Sequence, residues 1–474
     1  VPTAPALAAE SMKLLAWLAA FNICLCLGQT TRPIRSRTQT SGAHRRSSQH
    51  LHQMRRSMLG FNVPSVFGRK PCPTPRQSLV FTDDLDYHFK RLINEKKKSR
   101  GGAETKSLPA IAFDIDGVFK MGGKYTDFGA AAIRKVIDAG IPYVLMTNGG
   151  GGRSEEEYSK EVNKKLEMFD IEGGDHHEYV TPERMILSYT PFNKDLEHLK
   201  NEPVLVVGSR RVIDLANHYG FRKSMHMSEY TCKHPLMNPF GQSGLEKDDC
   251  VINMSREEWE EDFKAVLVFT DPEDFFEGIQ VITDVLLSSR PGEVEYEPKR
   301  RIPVVFSNPD LLWKTQYPHS RFGQGAFRLA LEACYRARLD SLGLSKEEIE
   351  VRLGDFVQYG KPEIVQFMHT KRAILSQAQR LGCDVSHYYM VGDNPTSDIQ
   401  GATNMDIRAI KKGDKRWSGI LVKTGVYKDG DDPLEANIIC DNVLEAVDKI
   451  IAAHQDEIID SKEEQRRYKD SIAT

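Results

Sequence analysis

The sequence predicts an α/β fold: a doubly wound, Rossmann-like parallel-sheet core with a smaller α/β cap domain inserted into it. Two observations predict it. Short apolar strands alternate with amphipathic helices, first through residues 107–190 and again beyond "TPFNKDL", and such alternation puts helices on both faces of a parallel sheet. Apolar runs also end repeatedly in polar or glycine-rich residues ("AIAFDIDG", "VLMTNGGGG", "YMVGDN"). In sheets of this kind active groups gather at the carboxyl ends of strands.

The elements follow in order. The 474 residues allow two or three domains. Residues 1–82 read as a basic presequence or tail, and 83–106 as a charged helix and linker. The first part of the core, 107–190, holds "AIAFDI", "AAAIRKVIDAG", "IPYVLMT" and "SEEEYSKEVNKKLEMF". The cap, 191–301, holds "EPVLVVGS", "RVIDLANHYG", "KAVLVFT" and "FFEGIQVITDVLLSS". Two loops rich in Gly, Pro and charge, 232–258 and 288–301, read as surface insertions. The second part of the core, 302–452, begins at "IPVVFSN", carries a polar insertion near 338–356, and ends in the helix "DNVLEAVDKIIAAH". A charged tail, 453–474, is expected to be exposed. There is no internal repeat.

Charge divides the chain. Between Glu10 and Asp83 no acid occurs, while eleven Lys and Arg residues do. Removing those eleven cations and Glu10 from the net charge of -3 leaves residues 83–474 near -13. So acidic a body does not read as a nucleic-acid binder. The eight cysteines form no CxxC and no Cys/His ladder, which reads as a reducing compartment and no zinc site. "MKLLAWLAAFNICLCLG" has the apolar core of a signal peptide, is short for a membrane span, and makes Met12 a candidate start. The Arg- and Ser-rich, acid-free segment after it suits a mitochondrial presequence. A mitochondrial location is therefore expected, with the secretory pathway or cytoplasm as alternatives. No integral membrane segment is expected in the mature protein.

Four signatures carry chemistry. Asp114 and Asp116 follow an apolar strand, and alternate residues of a strand share a face. One carboxylate can attack as a nucleophile while its neighbour shuttles a proton; a capped turn is the plainer alternative. "VLMTNGGGGR" offers the Thr147 hydroxyl, Asn148 and backbone amides for an anion, or a flexible glycine loop. In "YGKPE", Lys361 precedes a proline suited to open a helix and could meet an anionic intermediate, or lie on the surface. "YYMVGDNPTSDI" ends a strand in Asp393, with Asn394 beside it and Asp398 five residues on. These oxygen ligands suit Mg²⁺, or an Asx turn. Asn308 and Asp310 sit where the chain is expected to return to the core, placed to position cap or substrate. His176 and His177 read as loop residues.

In this order the four signatures resemble the haloacid dehalogenase superfamily, over residues 107–450. The position of the cap between the Thr and Lys motifs is similar to subclass IIA, whose phosphatases act on small phosphate esters. "ILSYTPF", "YMVGDNPTSDIQGA" and "GILVKTGVY" resemble most closely the cat eye syndrome critical region protein 5 group. The resemblance implies an aspartyl phosphate on Asp114 and acid–base work by Asp116. It implies Mg²⁺ held by Asp114, the main-chain carbonyl of Asp116 and Asp393, with Asn394 and Asp398 in support. Thr147, Asn148 and Lys361 would bind the phosphoryl oxygens. A small phosphorylated metabolite is the implied substrate, and a homodimer the implied assembly. Asp116 and Asp393 argue against metal-free dehalogenation. Two other readings stand: a catalytically weak or inactive mitochondrial binding or scaffold protein, linked to phospholipid (cardiolipin pathway) metabolism, and a receiver-like phosphoacceptor module, against which the inserted cap counts.

Overall fold

Eleven strands of the computed structural model build two parallel sheets, described here for residues 106–462 apart from 122–123, 168, 173–174, 235–237, 239–261, 289–300, 314–316 and 318. The chain divides into Val1–Lys70, outside the described residues, and Pro71–Thr474, which holds everything below. The presequence, nearly all of the linker 83–106 and most of both loops, 232–258 and 288–301, lie outside the described residues. In chain order the strands are β1 (Ser107–Phe113), β2 (Tyr143–Met146), β3 (Met185–Ile186), β4 (Val204–Val207), β5 (Ser224–His226), β6 (Ala265–Val268), β7 (Val304–Phe306), β8 (Phe356–Gln358), β9 (Asp384–Gly392), β10 (Trp417–Val422) and β11 (Ile438–Cys440).

The first sheet runs β11-β10-β9-β1-β2-β3, every neighbouring pair parallel. β1 is central because its sequence, SLPAIAF, is apolar on both faces; all but its first residue are buried. Helices α1 (Asp127–Asp138) and α2 (Glu155–Leu166) follow β1 and β2, and α3 (Val212–His218) and α4 (Met227–Lys233) follow β4 and β5. The Ser154–Glu157 capping box that starts α2 satisfies two orphan backbone donors. The chain builds outward from β1 to β2 and β3, then restarts on the other side of β1 at β9. The order thus reverses between β1 and β9, and such a switch point opens a crevice at the strands' carboxyl ends. Asp114 and Asp393 stand at those two ends.

The second sheet runs β8-β7-β6-β4-β5, again all parallel. β4 shows why it joins both layers: Val204 and Val206 pack in the same core as the first sheet, Leu205 and Val207 in a second core, as strand alternation requires. The second core also receives α5 (Phe275–Leu287), α6 (Gln324–Ser341) and α7 (Lys346–Leu353). Aromatic contacts join the layers: Phe192 meets Phe269 at 5.1 Å and Tyr359 at 5.2 Å between ring centroids.

Several expectations are corrected. The chain does not return to the first sheet at 302: β7 and β8 extend the second sheet, and the return comes after residue 358. The apolar run of β7 fits the interior of either sheet, so its periodicity could not say which. The polar insertion near 338–356 is the end of α6 and the short helix α7, which buries Ile349 and Arg352. Residues 455–462 of the charged tail are helical and mostly exposed; Ile458 is buried and Lys106 Nζ donates to the Asp460 carbonyl at 2.6 Å. His176 and His177 lie on a hairpin strand, Asp175–Glu178. Cys232 is disulfide-bonded, against the expectation of wholly reduced thiols. No helix among the described residues is long and apolar enough to cross a membrane.

Candidate active site

Three strand ends and one turn converge. β1 ends at Phe113, and Asp114 is held in line by its N–H, which donates to the Val391 carbonyl of β9 at 2.8 Å. Thr147 is fixed at the end of β2 by its N–H to the Ile186 carbonyl at 3.0 Å. Asp393 follows β9. Lys361 comes from the segment before α8 (Ile364–Leu381); Pro362 precedes the helix's N-cap, Glu363, and is not its first residue. The Lys361 ammonium is buried 2.6 Å from Asp114 Oδ1 and 2.7 Å from Asp398 Oδ1, and donates to the Met146 carbonyl at 3.2 Å. One side chain thus ties β1, β2 and the turn after β9.

Asp116 reaches the same cavity by a different route from the one expected. It lies beyond the end of β1, in a turn closed by the Gly117 N–H to the Lys120 carbonyl at 2.7 Å, and it pairs with Lys120 at 3.0 Å. Turn geometry, not strand alternation, places the pair. Gly117 has φ +87°, a conformation that glycine adopts freely. A Cβ there, or at Gly425, would also overlap the Asp393 carboxylate; the backbone closes directly around that acid.

The electrostatics follow from burial. Asp114, Asp393 and Asp398 are all buried, with Lys361 among them. Desolvation pushes Asp114 well above the usual carboxylate range; Lys361 opposes the rise, and Asp398 and Asp393 add to it. Asp393 is pushed up to about 7, by burial first and Asp398 second, against the Val426 N–H, which donates to Oδ2 at 2.6 Å. Burial alone would depress Lys361, but Asp114 and Asp398 outweigh it and hold the ammonium charged. Three buried acids share one ammonium, so their charge must be balanced by protons or by a bound cation. The three acids offer oxygens within 4.8 Å of one another, hard donors that fit Mg²⁺. Both Asp398 oxygens are already engaged, by Lys361 and by the Asn394 N–H at 3.1 Å. Asp114 and Asp393 are the better ligands.

A carboxyl whose folded pKa is raised binds its proton more tightly in the folded state. Its favourable contribution is present at low pH and lost as pH rises from about 4 through about 7. In chelator, the melting temperature of the wild type should therefore fall relative to Asp393→Asn over that window. Mg²⁺ should close the gap at neutral pH. Scanning fluorimetry at fixed ionic strength checks both.

The remaining predicted residues divide. The Thr147 hydroxyl accepts from the Gly149 N–H at 2.9 Å, which leaves its own proton free to donate. Asn148, expected to bind phosphate, lines the cavity, and both ends of its amide hold the Lys361 main chain, at 2.7 and 2.9 Å, so it also positions the lysine. The Asn394 side chain caps the following turn through the Thr396 N–H at 3.0 Å; only its main chain serves Asp398. Asn308 and Asp310 line the cavity from the turn after β7, on the second sheet. Burial pushes Asp310 up to about 6, opposed by Lys361 and Asn148.

The cavity holds about 530 Å³ and is lined from both sheets, a size suited to a small molecule. Gln324 was not foreseen: fully buried, it accepts from the Asn308 N–H at 2.9 Å and donates to Ser307 Oγ at 3.1 Å. Nor was Asp271, although "VFTD" carries the same signal as "AFD", an apolar run ending in an acid.

Residues 111–222 match a family model described as haloacid dehalogenase-like hydrolase, and residues 358–446 one described as HAD-hydrolase-like. A mitochondrial hydrolase of Saccharomyces cerevisiae is 34% identical over 377 residues, 73% of this chain and 96% of the relative. A cardiolipin synthase (CMP-forming) / mitochondrial hydrolase fusion protein of Schizosaccharomyces pombe is 28% identical, over 73% of this chain and 53% of the relative. Among solved structures, a p-nitrophenyl phosphatase from Archaeoglobus fulgidus is similar at 15% identity and a TM-score of 0.44, covering 72% of this chain and 99% of that one. The chain belongs to the haloacid dehalogenase-like hydrolases.

Proposed function

We propose that the protein is a Mg²⁺-dependent phosphatase that hydrolyses a small phosphate monoester through an aspartyl phosphate. The carrying observation is Asp114: a buried carboxylate at a strand-end crevice, 2.6 Å from a buried lysine. Its oxygen attacks phosphorus as the bond to the leaving alkoxide breaks. Asp116 gives that oxygen a proton, then takes one from the water that attacks the acyl phosphate. That second step releases inorganic phosphate and restores the Asp114 carboxylate. Lys361 and the Thr147 hydroxyl receive the phosphoryl oxygens as charge shifts. Asp114, Asp393 and the main-chain carbonyl of Asp116 would hold Mg²⁺, whose charge offsets the repulsion between anionic nucleophile and anionic ester. The second sheet covers the cavity, which favours small esters over phosphoproteins. The relatives named as mitochondrial hydrolases, together with the basic N-terminal segment, support a mitochondrial location.

Release of inorganic phosphate from p-nitrophenyl phosphate tests this. Turnover should appear with Mg²⁺ and vanish in chelator. Hydrolysis that is unaffected by chelator would overturn the metal assignment, and no hydrolysis of any monoester would overturn the activity.

A further inference from the structure

The cavity wall furnished by the second sheet is acidic. Asp271, past the end of β6, and Asp310, in the turn past β7, both line it and are close enough to interact electrostatically. Asp271 Oδ1 is buried and has no hydrogen-bond partner. An acceptor left so is costly unless something satisfies it. Gly323 packs against the same turn: a Cβ there would come 2.8 Å from the Asp310 carbonyl oxygen, so only glycine fits without moving Asp310. Asp310 is held in place by its N–H to Asn308 Oδ1 at 2.8 Å, in the turn that Gln324 pins.

Lys428 and three further cations line the cavity, and those three have acids of their own. Lys120 pairs with Asp116 at 3.0 Å, Arg153 with Glu161 at 3.1 Å, and Lys361 with Asp114 and Asp398. Among the described residues no ion pair joins a cation to Asp271 or Asp310. A leaving group that brought a carboxylate to this wall would meet two like charges. One that brought an O–H or N–H donor would satisfy the orphan oxygen.

We propose that Asp271, supported by Asp310, selects phosphate esters whose leaving alcohol carries a hydrogen-bond donor, a second hydroxyl or an ammonium, and rejects those carrying a carboxylate. This rests on the phosphatase reading for its substrate class. The donor could belong to a free polyol or amino-alcohol phosphate, or to the same phosphate ester borne on a lipid.

Calorimetric binding to Asp114→Asn, in which the ester survives, tests the preference without turnover. Hydrolysis of p-nitrophenyl phosphate by the wild type reports separately on the phosphatase reading. Glycerol 3-phosphate and phosphoethanolamine should bind at least about tenfold more tightly than phosphoglycolate, the scale of one charge contact. Adding Asp271→Leu should bring the three within about threefold of one another. Asp271→Asn, which keeps an acceptor but loses the charge, should keep glycerol 3-phosphate binding and lose the ammonium preference. Asp310→Asn should weaken the rejection of phosphoglycolate if an Asp271 variant fails to fold. Phosphoglycolate binding as tightly as the donors, or ratios unmoved by these substitutions, would overturn the proposal. Glycerol phosphate on a dialkyl lipid in detergent micelles provides the last arm. The donor rule requires it or the free ester to bind, the tighter one identifies the source, and binding of neither overturns the rule.

Discussion

Asp114→Asn should abolish phosphate release, by a factor on the order of 10⁶, the scale seen when a covalent nucleophile is removed. The substitution keeps the shape of the side chain and replaces the nucleophilic carboxylate by an amide that cannot form the acyl phosphate. It should not damage the fold. Asp114 is buried beside Asp393 and Asp398, and desolvation already disfavours its charge. Removing that charge relieves repulsion, so the metal-free variant should melt no lower than the wild type. Lost turnover together with undiminished stability separates a chemical role from a structural one. Activity within tenfold of wild type would exclude Asp114 as nucleophile.

Lys361→Met should cost both stability and turnover. Its ammonium is the cation between Asp114 and Asp398, and it bonds the Met146 carbonyl as well. Without it, buried carboxylates lose their partner, a change that typically costs about 3–5 kcal/mol. Turnover should fall on the order of 10²–10³-fold, the effect of losing one preorganised charge stabiliser. Asn148 grips the main chain of residue 361, so the loop should keep its course and the loss should trace to the ammonium. Mg²⁺ should recover part of the stability and little of the rate. Chemical denaturation with and without the ion, beside steady-state kinetics, checks the pair of effects.

Much of the fold was legible because a parallel sheet buried on both faces needs apolar strands, and those runs stand out. β1 and β9 also announced their acids, since a polar residue ending such a run has few structural reasons to be there. Sheet membership was not legible: β7 fits either interior, and its neighbours are set by crossovers that the local pattern does not encode. Side-chain partners were hidden for the same kind of reason. The sequence reads Asp398 as support for a metal; it lies in the acidic cluster that could hold one and also pairs with Lys361, a partner the local pattern does not show. Asn148 was read as a phosphate ligand, yet its amide matches the main chain of residue 361, 213 positions away. Gln324 sits in a helix start with no polar signature, and only the fold shows that it secures the Asn308–Asp310 turn.

The central claim is that Asp114, at the switch point between β1 and β9, takes the phosphoryl group. Rapid acid quench of the wild type turning over a ³²P-labelled ester with Mg²⁺, followed by peptide mapping, tests it most directly. Label on Asp114 that appears and decays at the rate of turnover is the expected result. Label on Asp116, or steady hydrolysis with no phosphoryl group on the protein at any time, would contradict it.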